Sequence, residues 1–345
     1  MKILIGLSGG LDSTYAAYLL KEQGYEVIGA AVRMHEYTDL TAAEKAAEAV
    51  DIPFVQLDAV DIFSETVISH FLAEYAAGRT PNPCVMCNPT VKFGALCEYA
   101  EANGIDLVAT GHYASVMHCD GRYYIRADRS NGKDQSYVLW RLSQKQLARL
   151  YLPLAGMAKA EIGRRALALG FFCAEAKESQ EICFIPDNDY VGYIERALGK
   201  RFPEGDFVDA EGRPIGRHKG LIRYTVGQRK GLGIALGQPL FVSKLNTVNN
   251  TVTLVPAGGE WATSMTVGEM NFMKLAPRET GFLETTVKVR YAAAPMPCTV
   301  FFSQGSARVD FHQPIRAVTP GQSAVFYEDE DVLCGGIIDF TELKH

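Results

Sequence analysis

A glycine-rich segment near the start of the chain contains the residue types needed to bind phosphate. Ser8-Gly9-Gly10-Leu11-Asp12-Ser13 lies between an apolar run and a stretch with helical spacing. Two glycines let the backbone approach a phosphate, and the start of a helix supplies unpaired N–H groups and a partial positive charge. The Ser8 and Ser13 hydroxyls could donate, and Asp12 could help to hold Mg²⁺. No lysine ends the segment, so it differs from a Walker-type loop.

A second polar segment follows another apolar run. Thr110-Gly111-His112-Tyr113-Ala114 comes directly after the strand-like residues Leu107–Ala109. In an open parallel sheet, ligands gather at the carboxyl ends of the strands. We therefore expect this segment to contribute to the same nucleotide or substrate site.

Three of the eight cysteines are candidates for chemistry. Cys84 and Cys87 are three positions apart in Arg79–Asn88, which its prolines predict to be a loop, and Cys183 stands in Glu178–Ile185. A zinc site would require a fourth ligand, usually from a second paired motif, and none is evident. The other cysteines are too sparse for a disulfide scaffold, and we interpret them as structural filler: Cys97, Cys119, Cys173, Cys298 and Cys334.

Charge is distributed unevenly along the chain, whose net charge is −6. Residues 1–110 contain 6 Lys/Arg and 15 Asp/Glu, a net of −9, whereas residues 196–230 contain 9 Lys/Arg and 4 Asp/Glu, a net of +5. A local basic patch can bind phosphates on an acidic protein, because salt screens charges beyond about 8–10 Å. A solvated surface loop explains these charges equally well. The basic residues include Arg213, Arg217, Lys219, Arg223, Arg229 and Lys230.

The sequence gives no sign of a membrane or an export pathway. No apolar run approaches the roughly 20 residues that a spanning helix needs. The first residues, Met1–Gly6, run straight into glycines without a cleavage site. We therefore expect a cytoplasmic protein with reduced thiols and no membrane partner.

The elements that would position these residues alternate between strand and helix in the first part of the chain. Spacing of apolar residues predicts strands at Ile3–Leu7, Val27–Val32, Pro53–Leu57 and Leu107–Thr110. It predicts helices at Ser13–Gln23, Thr41–Val50 and Phe63–Ala77. Alternation of this kind predicts an α/β domain whose doubly wound parallel sheet is covered on both faces.

The pattern changes near Asp187. A helix predicted at Tyr190–Leu198 precedes the basic stretch, which is rich in Gly and Pro. Short alternating segments then predict a small β-barrel: Thr251–Val255, Leu283–Tyr291, Cys298–Ser303, Ala307–Phe311, Ser323–Tyr327 and Leu333–Asp339. We expect three domains, at residues 1–186, 187–250 and 251–345.

Six segments, in this order, resemble one family of the N-type ATP pyrophosphatases, the bacterial tRNA-specific 2-thiouridylases (MnmA family). They are Ser8–Ser13, Thr80–Pro83 with Cys87-Asn88, Thr110–Ala114, Lys133–Tyr137, Ile182–Ile185 and Tyr224–Gly233. The resemblance runs from Met1 to about Ile338. It implies a PP-loop catalytic domain of the adenine nucleotide alpha hydrolase-like type, a small central tRNA-binding domain and a C-terminal β-barrel.

The resemblance also implies a mechanism. ATP, with Mg²⁺, adenylates O2 of the wobble uridine in the tRNAs for Lys, Glu and Gln, and pyrophosphate is released. Cys183 resembles the cysteine that receives sulfur as a persulfide from a carrier protein or a desulfurase relay. Cys87 resembles the partner that forms a transient disulfide with it. Sulfur replaces the adenylated oxygen and AMP leaves. The thiolate is the reactive form, so a nearby positive charge should help.

By the same resemblance, ATP contacts Gly6, Leu7, Ser8, Gly9, Gly10, Leu11, Asp12, Ser13, Val32 and Gly111. The target base contacts Asn82, Pro83 and Cys84. The rest of the tRNA contacts His112, Lys133, Asp134, Gln135, Arg290, Tyr291 and Gln322. The glycine turn and the thiols should then open into a single cavity large enough for a nucleobase.

Cys84 departs from the family pattern, in which the better-known members have Asp at this position. Three thiolates, from Cys84, Cys87 and Cys183, could instead converge on one pocket. Related tRNA thiolases use such a trio to hold a [4Fe–4S] cluster, and cysteine thiolates are the usual ligands of these clusters. The sequence therefore leaves two mechanisms open, a persulfide–disulfide relay and a cluster that carries sulfide.

Two other functions remain as alternatives. The same phosphate loop serves ligases and amidating enzymes that act on small acids, but these have no use for three cysteines, a basic linker and a barrel. A tRNA-binding protein without catalysis is a weaker alternative, because Asp12 and Ser13 are intact. Pyrophosphate release stimulated by tRNA, rather than by a small acid, would separate these functions.

Overall fold

The computed structural model describes residues 1–36, 38–128, 132–175, 182–234 and 237–343 of the chain. Four residues of the third cysteine segment, Glu178–Glu181, lie outside this part. None of the helices in the described residues combines the length and the apolar character needed to cross a bilayer.

The described residues form seventeen strands. In chain order they are β1 (Lys2–Gly6), β2 (Glu26–Arg33), β3 (Phe54–Asp58), β4 (Leu107–Ala109), β5 (Ala114–Cys119), β6 (Arg122–Ala127), β7 (Leu150–Tyr151), β8 (Gly205–Val208), β9 (Pro214–His218), β10 (Leu240–Asn246), β11 (Thr251–Pro256), β12 (Trp261–Phe272), β13 (Thr280–Lys288), β14 (Met296–Ser303), β15 (Ser306–Arg316), β16 (Ser323–Glu328) and β17 (Asp331–Leu343).

They also form ten α-helices: α1 (Leu11–Glu22), α2 (Thr41–Val50), α3 (Val60–Ile62), α4 (Ser69–Ala76), α5 (Pro83–Cys87), α6 (Phe93–Ala102), α7 (Ser136–Leu139), α8 (Gln144–Leu147), α9 (Lys159–Ala168) and α10 (Tyr190–Leu198). Shorter helical turns are of the π type at Phe63–Ile68 and Asn88–Lys92, and of the 3₁₀ type at Phe172–Glu175 and Leu221–Arg223.

The N-terminal sheet is parallel and has the strand order β3-β2-β1-β4-β7. Its side chains alternate between two buried faces. Ile3 and Ile5 pack with residues of α1, α2 and α9, whereas Leu4 packs on the other face with residues of α6. Helices on both faces explain why the strands are continuous apolar runs. The predicted doubly wound α/β fold is confirmed.

The strand order creates a crevice beside β1. Its neighbours are β2 on one side and β4 on the other, so the chain leaves the centre of the sheet in both directions. Ligands bind outside the carboxyl ends of strands at such a switch point. Ser8–Ser13 follows β1 and Thr110–His112 follows β4, so both polar segments reach this crevice.

The C-terminal part is a closed antiparallel barrel of six strands in the order β12-β15-β14-β13-β16-β17, closed by pairing of β12 with β17. The predicted barrel is confirmed, but its composition differs in three ways. The sequence pattern missed β12, the strand whose pairing with β17 closes the barrel. The hairpin β5–β6, which the sequence pattern missed, extends the barrel sheet through β17. The strand at Thr251 was predicted in the barrel, yet β11 pairs with β8 and β10 in a separate four-stranded sheet. The domain boundaries at 186 and 250 stay predictions.

A buried tryptophan, Trp140, packs the N-terminal α/β part of the chain against the barrel. Trp140 donates from Nε1 to Ser323 Oγ at 3.0 Å, and Tyr137 donates from its hydroxyl to Ser323 O at 2.9 Å. The Trp140 ring lies against the backbone of β17 at Gly335, where a Cβ atom would be 2.6 Å from Cε3 of the ring. Only glycine leaves space for this packing.

We expect Gly335→Ala to lower the thermal midpoint, because the added methyl group must displace a fully buried indole. Overpacking of this kind costs about 1–3 kcal/mol. Differential scanning calorimetry measures the change. Gly94→Ala is the matched control, because its Cβ would meet only one atom, Pro89 O, at 3.4 Å. Equal midpoints for the two variants would contradict this account of the interface.

Candidate functional site

Hydrogen bonds to its own serine hydroxyls fix the conformation of the predicted phosphate loop, Ser8–Ser13. Ser8 N donates to Ser13 Oγ at 3.1 Å, and Ser13 Oγ donates to Gly10 O at 3.1 Å. Gly9 has φ +74°, and a Cβ there would lie 2.4 Å from the backbone of Ala42. Gly10 precedes α1 and has no side chain to cap it. The first N–H groups of this 12-residue helix therefore face the crevice and suit an anion.

Gly111 brings the second polar segment against the start of α1. A Cβ on Gly111 would lie 2.7 Å from Asp12 C and 2.8 Å from Ser13 N. Real Cβ atoms do not approach other atoms this closely. Both atoms belong to the backbone of α1, so movement of a side chain could not make space for a larger residue. Beside it, Thr110 Oγ1 and His112 Nδ1 lie 2.8 Å apart. The two polar segments thus form one wall.

Asp12 is bound on both oxygens. The Tyr113 hydroxyl donates to Oδ1 at 2.6 Å, and Lys159 Nζ lies 2.6 Å from Oδ2. The predicted Mg²⁺ role therefore has to accommodate a lysine beside the carboxylate. Each carboxylate oxygen keeps a further lone pair, so Asp12 could still bind Mg²⁺ while it contacts Lys159 and Tyr113.

These segments enclose a cavity of about 310 Å³. Its lining includes many of the predicted ATP residues: Gly6, Leu7, Ser8, Asp12, Ser13, Val32 and Gly111. It also includes two residues predicted to contact tRNA, His112 and Gln135. Met34, Lys92 and Thr38–Leu40 also line it, and the sequence had not indicated them.

The cysteine segment is helical, and the predicted loop at Arg79–Asn88 is wrong in its second half. Pro83 is the first residue of α5, and Asn82 caps the helix by accepting from Cys84 N at 3.1 Å. Proline is tolerated at the first helical position, because its missing N–H would have no partner there. Pro89 is the second residue of the π turn Asn88–Lys92.

The three candidate cysteines are free thiols that lie close enough to influence one another. Cys84 and Cys183 are exposed and Cys87 is buried. Cys87 Sγ lies 3.6 Å from Met34 Sδ, and Met34 lines the cavity. None of the three lines the cavity itself. Cys87 borders it through Met34, so the predicted single cavity is instead a cavity with the Cys87 thiol at its edge.

Desolvation by the surrounding protein disfavours the charged form of two of these thiols, the buried Cys87 and also Cys183, whose sulfur is partly desolvated although the residue as a whole is exposed. Desolvation raises the pKa of Cys87 to about 11, although the Lys92 ammonium opposes the shift. Desolvation also raises the pKa of Cys183, with the negative charge of a Cys84 thiolate adding to it and Lys92 again opposing. Both groups are therefore protonated at neutral pH in this state of the protein. Burial likewise lowers the pKa of His112 to about 3, so its imidazole is neutral.

The part of the chain just before the cysteines is held by both other regions. Thr80 N donates to Pro320 O at 2.9 Å, and Gln322 Nε2 donates to Thr80 O at 2.7 Å. The hydroxyls of Thr80 and Thr225 lie 3.3 Å apart. Gln322, predicted to contact tRNA, therefore has its amide group already engaged with Thr80, just before the residues predicted to contact the target base.

Two more predicted tRNA residues make internal contacts. Asp134 accepts from Ser136 N and Oγ, each at 3.0 Å, and lies 3.7 Å from Lys288 Nζ. Gln135 accepts from Tyr113 N at 3.0 Å. Lys133 is half-buried beside them. These contacts give the segment a structural role that the sequence did not predict.

Arg290 and Tyr291 are at the surface, as contacts to a large ligand require. Tyr291 is 44% exposed, and its ring centroid lies 6.2 Å from that of Tyr137. Lys288 Nζ lies 5.9 Å from the Tyr291 ring. Arg290 is exposed at the end of β13. An exposed ring beside cations suits stacking on a base.

The basic stretch is only partly available to phosphates. Arg213 is paired with Asp209 at 2.6 Å and Arg217 with Asp206 at 2.8 Å. Arg229 and Lys230 are exposed and form no ion pair within the residues that the structure describes. Lys219 and Arg223 are also exposed and form no ion pair within the same residues, so, within residues 213–230, the positive charge accessible from solvent lies at these four residues.

The residues present do not form a ready metal site. In the described ranges, no three His, Cys, Asp or Glu side chains are arranged to hold a metal ion. Cys84, Cys87 and Cys183 thus share a neighbourhood without forming a ligand set in this arrangement, and a [4Fe–4S] cluster does not fit them as they stand.

We expect Gly111→Ala to weaken ATP binding at least tenfold, about 1.4 kcal/mol, because the methyl group pushes the start of α1 away from the crevice. Isothermal titration calorimetry measures the change. Gly163→Ala, in α9, is the control, since its Cβ would have no atom within 4 Å. Unaltered affinity in Gly111→Ala would disprove the role of this contact.

Comparison with known proteins agrees with this geometry. Three family models match: the tRNA methyl transferase HUP domain at residues 1–187, the tRNA methyl transferase PRC-barrel domain at 192–256 and the aminomethyltransferase beta-barrel domain at 262–338. A solved 4-thiouridine synthetase–RNA complex with bound ATP is 15% identical, with a TM-score of 0.39, and the match covers 57% of this chain and 50% of that one.

Curated relatives match over nearly the whole length. The tRNA-specific 2-thiouridylase MnmA of Clostridium perfringens is 43% identical, with 98% of each chain covered. That of Acetivibrio thermocellus is 41% identical, with 98% of this chain and 99% of the relative covered. This chain therefore belongs to the tRNA-specific 2-thiouridylase (MnmA) family.

Proposed function

We propose that this protein is an ATP-dependent tRNA-uridine 2-sulfurtransferase, which replaces O2 of the wobble uridine with sulfur in the tRNAs for Lys, Glu and Gln. One observation carries the proposal: the Cys87 thiol contacts Met34, which lines the phosphate-binding cavity, and the other two thiols lie close enough to Cys87 to affect its pKa. The reaction needs both parts together, since ATP activates the oxygen and a sulfur atom must then reach the same carbon. The relatives named 2-thiouridylase support it.

In the first half-reaction, ATP is the substrate of the crevice. The N–H groups at the start of α1, with the Ser8 and Ser13 hydroxyls, hold its phosphates. Asp12 lines the cavity and is paired with Lys159, and Mg²⁺ bound at Asp12 would neutralise phosphate charge. The uridine O2 attacks the α-phosphorus and pyrophosphate leaves. The oxygen, a poor leaving group, becomes part of AMP, a good one.

In the second half-reaction, sulfur reaches C2 through two cysteines. Cys183 takes the outer sulfur of a carrier's persulfide, and the carrier leaves as a thiol. The outer sulfur of Cys183–S–SH, after losing its proton, attacks C2 and AMP departs with the bonding electrons. The Cys87 thiolate then attacks Cys183 Sγ, forms a disulfide and releases the thiocarbonyl. A dithiol reductant restores both thiols, as the reducing cytoplasm allows.

The tRNA contacts follow the exposed surface around this site. Asn82, Pro83 and Cys84 lie at the start of the cysteine helix and would line the target base. Arg290 and Tyr291 would hold a phosphate and stack on a base. His112, Lys133, Asp134, Gln135 and Gln322 would contribute along the rim between the catalytic part and the barrel.

We expect Cys183→Ser to abolish thiolation of tRNA while tRNA-dependent ATP–pyrophosphate exchange continues, because serine cannot carry a persulfide. Thiolated nucleosides are measured by mass spectrometry after digestion of the tRNA. Cys119→Ser is the matched control, since Cys119 is an exposed thiol at the end of β5. Normal thiolation by Cys183→Ser would remove this cysteine from the chemistry.

The relay and the cluster make opposite predictions for iron. We expect protein purified without oxygen to contain far less than one iron per chain and to thiolate tRNA at full rate with a persulfide donor. Iron and acid-labile sulfide analysis, with activity before and after chelation, provide the measurement. Stoichiometric iron whose removal stops the reaction would replace the relay by the cluster mechanism.

A further inference from the structure

Lys92 occupies the boundary between the nucleotide cavity and the thiols. It is the last residue of the π turn Asn88–Lys92, which directly follows the cysteine helix α5. The side chain is half-buried and lines the cavity with Gly6, Thr110 and His112. The five-residue turn thus connects Cys87, at the edge of the cavity, to the Lys92 side chain in the cavity wall.

The charge of Lys92 reaches both of the thiols assigned to sulfur transfer. It lowers the pKa of Cys87 and of Cys183, against the larger effect of desolvation in each case. The Lys92 backbone N–H acts on Cys87 in the same direction. The third thiol, Cys84, opposes it, because a Cys84 thiolate raises the pKa of both. One cation therefore acts on both of the thiols assigned to sulfur transfer.

No other side chain in the cavity wall has this position. Among the described residues that line the cavity, the charged or titratable groups are Asp12, Asp39, His112 and Lys92. Asp12 is bound to Lys159, and His112 is neutral because burial lowers its pKa to about 3. Lys92 forms no ion pair within the described residues. It is thus an uncompensated cation that faces a site for a polyanion.

We propose that Lys92 couples the nucleotide to the sulfur chemistry: its ammonium group faces the cavity on one side and stabilises the anionic sulfur at Cys183 on the other. The inference rests on the proposed function for the identity of the nucleotide and of the sulfur atom. The proton of the sulfur goes to solvent, and Lys92 takes no part in its transfer. Lys92 is therefore a positioning residue rather than an acid or a base.

A sequence of events follows from this shared cation. The phosphates of ATP bring negative charge to Lys92, so the cation supports the sulfur anion less while ATP is bound. Departure of pyrophosphate leaves the single charge of the adenylate. The sulfur anion is then favoured at the stage when an activated carbon is present to receive it. Premature reaction of the sulfur is disfavoured by the same electrostatics.

Alkylation of individual cysteines tests the inference without tRNA or turnover. The full chain is treated with iodoacetamide between pH 6.5 and 10, and each cysteine is followed by peptide mass spectrometry. We expect Lys92→Gln to slow alkylation of Cys183 about 3- to 10-fold at pH 8, a shift of its pH profile of about 0.5–1 unit to higher pH. Lys92→Arg should retain the wild-type profile.

Two controls report on the rest of the molecule. Cys119 is an internal standard, because it is exposed on β5. Lys145→Gln removes a lysine that is 72% exposed and pairs with Glu101. Neither the alkylation of Cys119 nor the profile of Lys145→Gln should change. An unchanged Cys183 profile in a folded Lys92→Gln protein overturns the inference.

A nucleotide arm separates electrostatic coupling from simple blockage. A non-hydrolysable ATP analogue should slow alkylation of Cys183 in the wild type and have much less effect in Lys92→Gln. Equal protection in both proteins would mean that the nucleotide merely covers the thiol, and the coupling would be refuted. Failure of the proposed function would appear differently, as normal alkylation behaviour in a protein that never thiolates tRNA.

Discussion

The close approach of Gly111 to the first turn of α1 is the constraint on which the site depends. The strands β1 and β4 are neighbours, so the segments that leave their carboxyl ends must cross within a few ångströms. The absence of a Cβ at Gly111 lets Tyr113 reach Asp12 and lets His112 turn into the cavity wall. Because these contacts lie on backbone, a larger residue could be accommodated only by moving a helix, and the phosphate-binding N–H groups would move with it.

Hydrogen bonds at Thr80 join the segment before the cysteine helix to distant parts of the chain. Thr80, just before the cysteine helix, is bonded to the barrel at Pro320 and Gln322 and to the central region at Thr225. Arg79 adds ion pairs with Glu74 and, at 3.6 Å, with Asp339. Cys84 and Cys87 therefore lie on a segment whose position is set by all three regions. A tRNA that contacts the barrel and the basic loop would bind surfaces mechanically linked to the reacting thiols.

Local pattern predicted the phosphate loop, the parallel sheet and most barrel strands, because each depends on spacing of apolar residues or glycines over a few positions. It predicted the wrong conformation for Pro83–Cys87, because proline at a first helical position cannot be told from proline in a loop without the residues around it. It missed Lys159 and Lys92, whose roles arise only when α9 and the π turn are packed against α1 and β4. No short-range signal distinguishes such lysines from surface ones.

Burial of the thiols has two opposite chemical consequences, and the site has to reconcile them. Excluding water protects an adenylated base from hydrolysis. The same exclusion raises the pKa of Cys87 to about 11, which removes most of the thiolate at neutral pH. A carboxylate beside the cysteines would raise their pKa further. Full exposure to solvent would lose the protection from hydrolysis. Lys92, between the nucleotide cavity and the thiols, lowers the thiol pKa without admitting water. It can do so only because no carboxylate in the described part of the chain neutralises it.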